Sequence, residues 1–274
     1  MKSMKIIDAH LHFASERYFD EIARAAGHIN NEKHLRTEYE KRNFVHGIVM
    51  GNRPLEETDC VYLDFLSYCV GLDNMTRLFA DVERAVTLVE QHLKKDACVG
   101  IKLYPGYHSF WIYDDRLAPI YRVAAKYHKP VAVHTGLTAG NNALLKYAHP
   151  AVMDEAATKF PDVQFVMCHF GEPYFTDAAA VLEKNPNVVA DLSGILEGKK
   201  QDFAAFTKRI ASYIHQLKGW LEYLDSYERF MFGTDWPLAN LGDYVAFTKL
   251  IIPEEHWDEV FFDNANRIYD LGIQ

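Results

Sequence analysis

Cysteine is scarce in this sequence, with four residues in 274, and Cys60, Cys69, Cys98 and Cys168 stand too far apart for a Cys-x-x-Cys pair. That spacing excludes a zinc knuckle and a dense disulfide framework. The apolar surroundings of these residues predict reduced thiols that mostly pack a core, in a cytoplasmic protein. Positive charge is also short. Twenty-nine basic residues face 38 acidic ones, a net charge of -9, and no Lys/Arg block stands out, so a broad nucleic-acid footprint is excluded. No window approaches the ~18 consecutive apolar residues of a membrane span. Asp8, His10 and His12 interrupt the first thirteen residues, so they do not read as a secretory signal. Gly-x-Gly-x-x-Gly, Walker-type, Gly-x-Ser-x-Gly and His-Glu-x-x-His patterns are all missing. Their absence sets aside the usual nucleotide fold, a serine nucleophile and a helical metallopeptidase.

What is present is bulk and rhythm. The chain is 49% hydrophobic and 24% charged, which is ordinary for a globular protein with a sizeable core. Short β-rich runs recur at residues 5–12, 46–51, 77–82, 97–104, 130–136, 163–169, 187–193 and 229–235. Several are apolar almost to their ends, the mark of strands buried on both faces of a parallel sheet. Between them lie helical patterns, such as residues 117–127 before Pro130 and 151–160 before Pro161. Repeats of about thirty residues are βαβ units. Eight of them predict one (β/α)8 TIM barrel over residues 1–274 as a single domain. An open doubly wound sheet is the rival architecture. The polar stretch 14–42 is long for a βα connection and predicts a helical insertion after strand 1, over one barrel mouth.

Position carries more than count. In such a barrel the reacting groups sit at the C-terminal ends of strands. The runs end on or near His10 and His12, Lys102, His134, His169, Asp191 and Asp235. On a regular strand Asp8, His10 and His12 share one side while Ala9 and Leu11 pack the other. Imidazoles at i and i+2 stand about 6.6 Å apart at their α-carbons. They can therefore converge on one ion with bonds of roughly 2.1 Å. His10, His12, His134 and Asp235 form a donor set suited to one zinc ion and tolerable for manganese or iron. The competing reading has these groups hydrogen-bonding one another in a polar barrel mouth. His28, His34, His92, His128, His215 and His256 read as solvated helix or loop positions.

The pattern resembles the amidohydrolase superfamily, and within it the amidohydrolase-2 branch that includes aminocarboxymuconate-semialdehyde decarboxylase-like proteins. The matching stretches are Ile7-Asp-Ala-His-Leu-His12, Gly100-Ile-Lys-Leu-Tyr-Pro105, Pro130-Val-Ala-Val-His-Thr-Gly136, the segment 160–171 ending Cys168-His-Phe-Gly171, Phe232-Gly-Thr-Asp-Trp-Pro237 and Asn264-Ala-Asn-Arg-Ile268. They run in family order from the first strand to the last helix. The resemblance implies a somewhat distorted barrel holding one divalent metal, with His10, His12, His134 and Asp235 as ligands. It gives His169 the role of holding and polarising the attacking water. In binuclear relatives the strand-four lysine is carboxylated, but the context of Lys102 follows the mononuclear branch and implies a free amine.

The implied reaction is attack of a metal-activated water on an amide, ester or lactone of a small molecule. Asp235 takes the proton and passes it to the leaving group, while His169 stabilises developing charge. The runner-up keeps the site and decarboxylates an unsaturated or aromatic carboxylate without hydrolysis. A third reading is a barrel that binds a ligand or partner without turnover. Arg53 is a candidate carboxylate clamp or a surface arginine near a turn. In the aromatic loop from Tyr104 to Tyr113, Tyr104, Tyr107, Phe110 and Trp111, together with Trp236, are candidates to wall a substrate pocket. Aromatic loops equally pack on neighbouring helices or on a second subunit, so a homo-oligomer is compatible with the sequence.

Overall fold

Eight apolar runs become eight parallel strands in a computed structural model, which describes residues 4–14, 16–59 and 61–274. They are β1 (Ile6–Leu11), β2 (Phe44–Met50), β3 (Leu66–Leu72), β4 (Cys98–Leu103), β5 (Val131–Val133), β6 (Phe165–Met167), β7 (Val188–Asp191) and β8 (Phe230–Met231). The sheet order is sequential, from β1 to β8. Between β8 and β1 the barrel closes through single backbone bonds rather than a full ladder. The Ala9 amide donates to the Phe232 carbonyl at 2.9 Å, and the Asp235 amide donates to the His10 carbonyl at 2.8 Å. This seam is where the (β/α)8 barrel is distorted.

Two apolar layers hold the barrel. Inside, Ile7, Ile48, Met50, Cys69, Val166, Cys168 and Met231 fill the lumen. The C-terminal helix Asn264–Ile268 adds Ala265 and Ile268 to the same cluster, beside Val45 at the start of β2, and so plugs the end opposite the mouth where His10 and His12 stand. Outside, Leu103, Ile120, Val133, Phe165 and Phe230 pack with the surrounding helices. Cys69, Cys98 and Cys168 are free and buried; Cys60 lies outside the described residues.

One strand differs from the sequence reading. Residues 77–82 fall within the helix Met75–Ala80 and the start of the helix Val82–Leu93, and the third strand is Leu66–Leu72 instead. A short apolar run is helix or strand by periodicity alike. Here the caps decide, because the Asn74 side chain accepts from the Arg77 amide and Asp81 from the Arg84 amide. The expected alternation in β1 also fails. Its pairing with β2 shifts register between Asp8 and Leu11, and Ala9 faces the lumen while Leu11 joins the outer layer. Asp8 leaves the histidine side and binds the Thr234 amide (2.8 Å), the Thr234 hydroxyl (2.5 Å) and the Tyr39 hydroxyl (3.1 Å). It thereby fastens the β8 turn to β1.

The insertion after β1 is helical as expected, with helices Arg17–Ala25 and Glu32–Arg42. Phe19 in the first of these lies over His12, with ring centroids 5.7 Å apart. Among the described residues no helix is long and apolar enough to cross a membrane.

Candidate metal centre

Three strand ends meet at the barrel mouth. The seam between β8 and β1 carries Asp235 to the two β1 histidines. Its Oδ1 lies 3.5 Å from His10 Nε2 and 3.2 Å from His12 Nε2. Hydrogen positions follow from the other ring nitrogens. His10 Nδ1 is 2.9 Å from Asp191 Oδ2, and His12 Nδ1 is 3.2 Å from the Met50 carbonyl. Carboxylates and carbonyls only accept, so each Nδ1 carries the proton and each Nε2 presents a lone pair. Burial lowers His10 to about 4, with Lys102 adding to the effect, so its ring is neutral. Burial pushes the Asp235 carboxyl up, yet His12 and His10 beside it outweigh that and hold it well below the usual carboxylate range.

Three electron-pair donors therefore converge with no proton between them. His10 Nε2 and Asp235 Oδ1 are buried without a hydrogen-bond partner. Such an arrangement is costly unless a cation satisfies it. The set fits a divalent metal, and His10, His12 and Asp235 would hold it. The His10–Asp191 contact is the carboxylate support that commonly orients a metal-binding histidine.

His134 and His169 stand beside this group as a second pair. Ser193 Oγ donates to Asp191 Oδ1 at 2.5 Å and so accepts from His169 Nδ1 at 2.9 Å. His134 Nε2 donates to the Leu137 carbonyl at 3.0 Å. The remaining nitrogens, His134 Nδ1 and His169 Nε2, face each other at 3.1 Å. Burial lowers both pKa values, and His169 and Lys102 add to the effect for His134. Both rings are neutral, and two further lone pairs point into the same polar floor. The His134 nitrogens do not fall within the tight group formed by His10, His12 and Asp235.

The backbone around these groups is unusual. His169 (φ 64°) and Asp235 (φ 55°) occupy the left-handed region, which non-glycine residues seldom adopt. In each case the chain leaves an apolar strand and turns at once, which aims the side chain into the mouth. Strain of this kind concentrates at functional sites. Gly194 (φ 67°) leaves room for the His169 ring, since a Cβ there would lie 2.5 Å from His169 Nδ1.

Above the floor opens a cavity of about 700 Å³. Lys102, Tyr104 and Tyr107 line it, as does Phe19 from the insertion. Lys102 is fully buried, its Nζ 2.8 Å from Cys168 Sγ. Tyr104 donates its hydroxyl to the Gly51 carbonyl at 2.9 Å. The other proposed wall residues lie elsewhere. Arg53 stacks on the Tyr62 ring at 4.9 Å. Trp111 packs on Tyr113 and Tyr147 because the second half of its loop turns back onto neighbouring elements. Phe110 is buried against Phe79. Trp236, just after the left-handed Asp235, is thrown outward and buried against His28 at 4.4 Å.

Sequence reasoning placed Asp191 among the strand-end groups but gave it no part in holding the histidines. It missed Ser193 and Phe19, which carried no signal of their own. It also read His28 and His92 as solvated, whereas both are buried. His92 bonds Tyr68 and the Leu55 carbonyl. His28 Nε2 accepts from the Leu241 amide and its Nδ1 donates to His34 Nε2. Glu38, close to those two rings, is paired with Lys41 and Arg42. That second cluster satisfies itself.

A nearly closed parallel barrel thus carries His-x-His at the end of β1, histidines after β5 and β6 and an aspartate after β8. The chain belongs to the amidohydrolase family, whose model matches residues 7–271. Protein fluG of Emericella nidulans is 29% identical over 159 residues, 54% of this chain. The match spans only 18% of that relative's length. Among solved structures, a probable 2-pyrone-4,6-dicarboxylic acid hydrolase from Acinetobacter baumannii, with citric acid bound, superposes with a TM-score of 0.63 at 16% identity, covering 97% of this chain and 100% of that one. A 5-carboxyvanillate decarboxylase from Novosphingobium aromaticivorans, complexed with manganese and a nitrobenzoic acid ligand, gives 0.66 at 11% identity, covering 98% and 96%. At these identities the structures share the fold.

Proposed function

We propose that this protein is a metal-dependent hydrolase that cleaves an amide, ester or lactone bond of a small molecule. The observation that carries the reading is the proton-free convergence of His10 Nε2, His12 Nε2 and Asp235 Oδ1 beneath a cavity that His12 and Asp235 line. His10, His12 and Asp235 would hold a divalent ion there, zinc by donor type with manganese or iron tolerated, and it would supply Lewis acidity. Asp235, ionised and facing the cavity, accepts the proton of the attacking water and returns it to the leaving group. His169 is fixed through Ser193 and Asp191, so its Nε2 keeps one orientation toward the floor. His134 is held by the Leu137 carbonyl on the opposite side of that nitrogen pair. Lys102 offers a cationic donor to a substrate oxygen deep in the cavity.

Decarboxylation of an unsaturated or aromatic acid is the competing chemistry. It requires a clamp for the carboxylate, and the candidate clamp Arg53 stacks on Tyr62 instead of lining the cavity. The two structural relatives bear names of carboxylic-acid substrates, whereas among the described residues no arginine lines this wall.

The test is metal analysis of protein purified without chelators, followed by panels of amides, esters, lactones and aromatic acids. Acid formation supports hydrolysis; CO2 release without it overturns the reading in favour of a decarboxylase. Asp235→Asn is expected to lower kcat by about 100-fold or more. No turnover of any panel member by metal-loaded protein would leave a non-catalytic barrel, and retention of both metal and full activity in Asp235→Asn and His10→Ala would overturn the assignment of this centre.

A further inference from the structure

The lysine deep in the cavity lacks the partner that a buried lysine ordinarily has. Lys102, on β4, is fully buried, and among the described residues no carboxylate pairs with it. A buried charge without a compensating group is costly. Its Nζ donates instead to Cys168 Sγ at 2.8 Å and lies 5.3 Å from the centre of the Tyr104 ring. Cys168 stands directly after β6, so this contact reaches past β5, the strand between β4 and β6.

The sulfur is itself oriented. Burial pushes the Cys168 thiol up; Lys102 opposes this, and the Asp191 carboxylate, hydrogen-bonded to the thiol, adds to it. A protonated thiol that donates toward Asp191 keeps its sulfur as an acceptor for Lys102. Asp191 is also the partner of His10 Nδ1 and Ser193 Oγ. Cys168 therefore stands between a buried amine and a buried carboxylate, and it ties Lys102 to the group that orients the histidines. Where the amine is held matters to the centre, because its charge acts on His10, His134 and His169. Lys102 and Asp235 also line one cavity. On its flexible four-carbon stem, an amine released from the sulfur would be free to fold onto Asp235.

We propose that Cys168 is a positioning residue, whose sulfur holds the Lys102 amine away from Asp235 and aims it at the substrate oxygen. The substrate oxygen alone rests on the hydrolase reading; the placement of the amine does not.

The test reads placement and turnover separately, on zinc-loaded protein. In nitrogen-15 NMR of the lysine side chains, the Lys102 Nζ signal is assigned by its loss in Lys102→Met. Cys168→Ala is expected to shift that signal or broaden it by solvent exchange, and Cys168→Ser, which keeps an acceptor, to retain it. Cys168→Val, which fills the volume without an acceptor, carries the comparison should the alanine variant not fold. With any cleaved amide, ester or lactone, Cys168→Ala should lower kcat about tenfold with little change in KM. Cys168→Ser should recover most of the loss, and in a Lys102→Met background Cys168→Ala should cost nothing further. A Lys102 signal unmoved by both Cys168→Ala and Cys168→Val overturns the proposal, as does an equal loss of kcat in the Lys102→Met background. The expected spectra from a protein that cleaves none of these substrates refute the hydrolase reading alone and support the placement of Lys102.

Discussion

At the scale of single residues, the chemistry depends on which nitrogen of each imidazole carries a proton. Asp191 settles this for His10 and, through Ser193, for His169. Its carboxyl is pushed up by burial but is carried well below the usual range by His10 and His169, so it remains an acceptor throughout the working pH range. Asp191→Asn keeps the shape and can present a donor to His10 Nδ1, which would free the wrong nitrogen for the metal. Metal affinity, read by competition with a chromogenic chelator, should fall by about 10- to 100-fold. Gly194→Ala acts on the same ring by crowding. With φ at 67° and His169 Nδ1 in the way of a new Cβ, the substitution should cost about 1–3 kcal/mol in urea unfolding and lower kcat more than it raises KM.

Among the elements, the insertion after β1 does more than fill a long connection. Its first helix, Arg17–Ala25, brings Phe19 onto the His12 ring and into the cavity wall. Phe19→Ala should raise KM roughly two- to tenfold, the worth of one aromatic contact, with a smaller effect on kcat; steady-state kinetics on any cleaved substrate checks this. The insertion was legible from its length and polarity. Its contribution to the cavity was not, because Phe19 follows no motif and meets His12 only after the helix folds back. β3 shows a different limit. Residues 77–82 and Leu66–Leu72 are both short and apolar, and only the Asn74 and Asp81 caps assign the former to helix. Asn74 and Asp81 stand in the sequence, but a single Asn or Asp marks a cap or a turn alike until the helix is seen.

For the molecule as a whole, buried neutral histidines set the acid limit. Burial lowers His10, His28 and His46 from an ordinary 6.5 to about 4. Between those values the unfolded chain binds more protons than the folded one, so stability is full above about 6.5 and falls as pH drops toward 4. Asp8, raised to about 7 by burial, acts in the opposite sense, but it is one group against three. The urea midpoint should therefore decline from pH 7 to pH 5, and a flat or rising profile would contradict the burial of these rings. Removing the metal by chelation should also lower the thermal midpoint. For an ion present at 100 times its Kd the stabilisation lost is about 2.7 kcal/mol.

From sequence alone came the barrel, the repeat length, the helical insertion and the strand-end residues of the floor. Periodicity and strand ends are local properties, and local properties are readable along a chain. Only the folded barrel decided the rest: that β1 slips register and turns Asp8 away, that Trp236 and Arg53 miss the cavity, and that Asp191 holds two histidines. Each depends on groups far apart in the chain meeting across a sheet edge or a seam, and no spacing in one segment encodes where the other will stand.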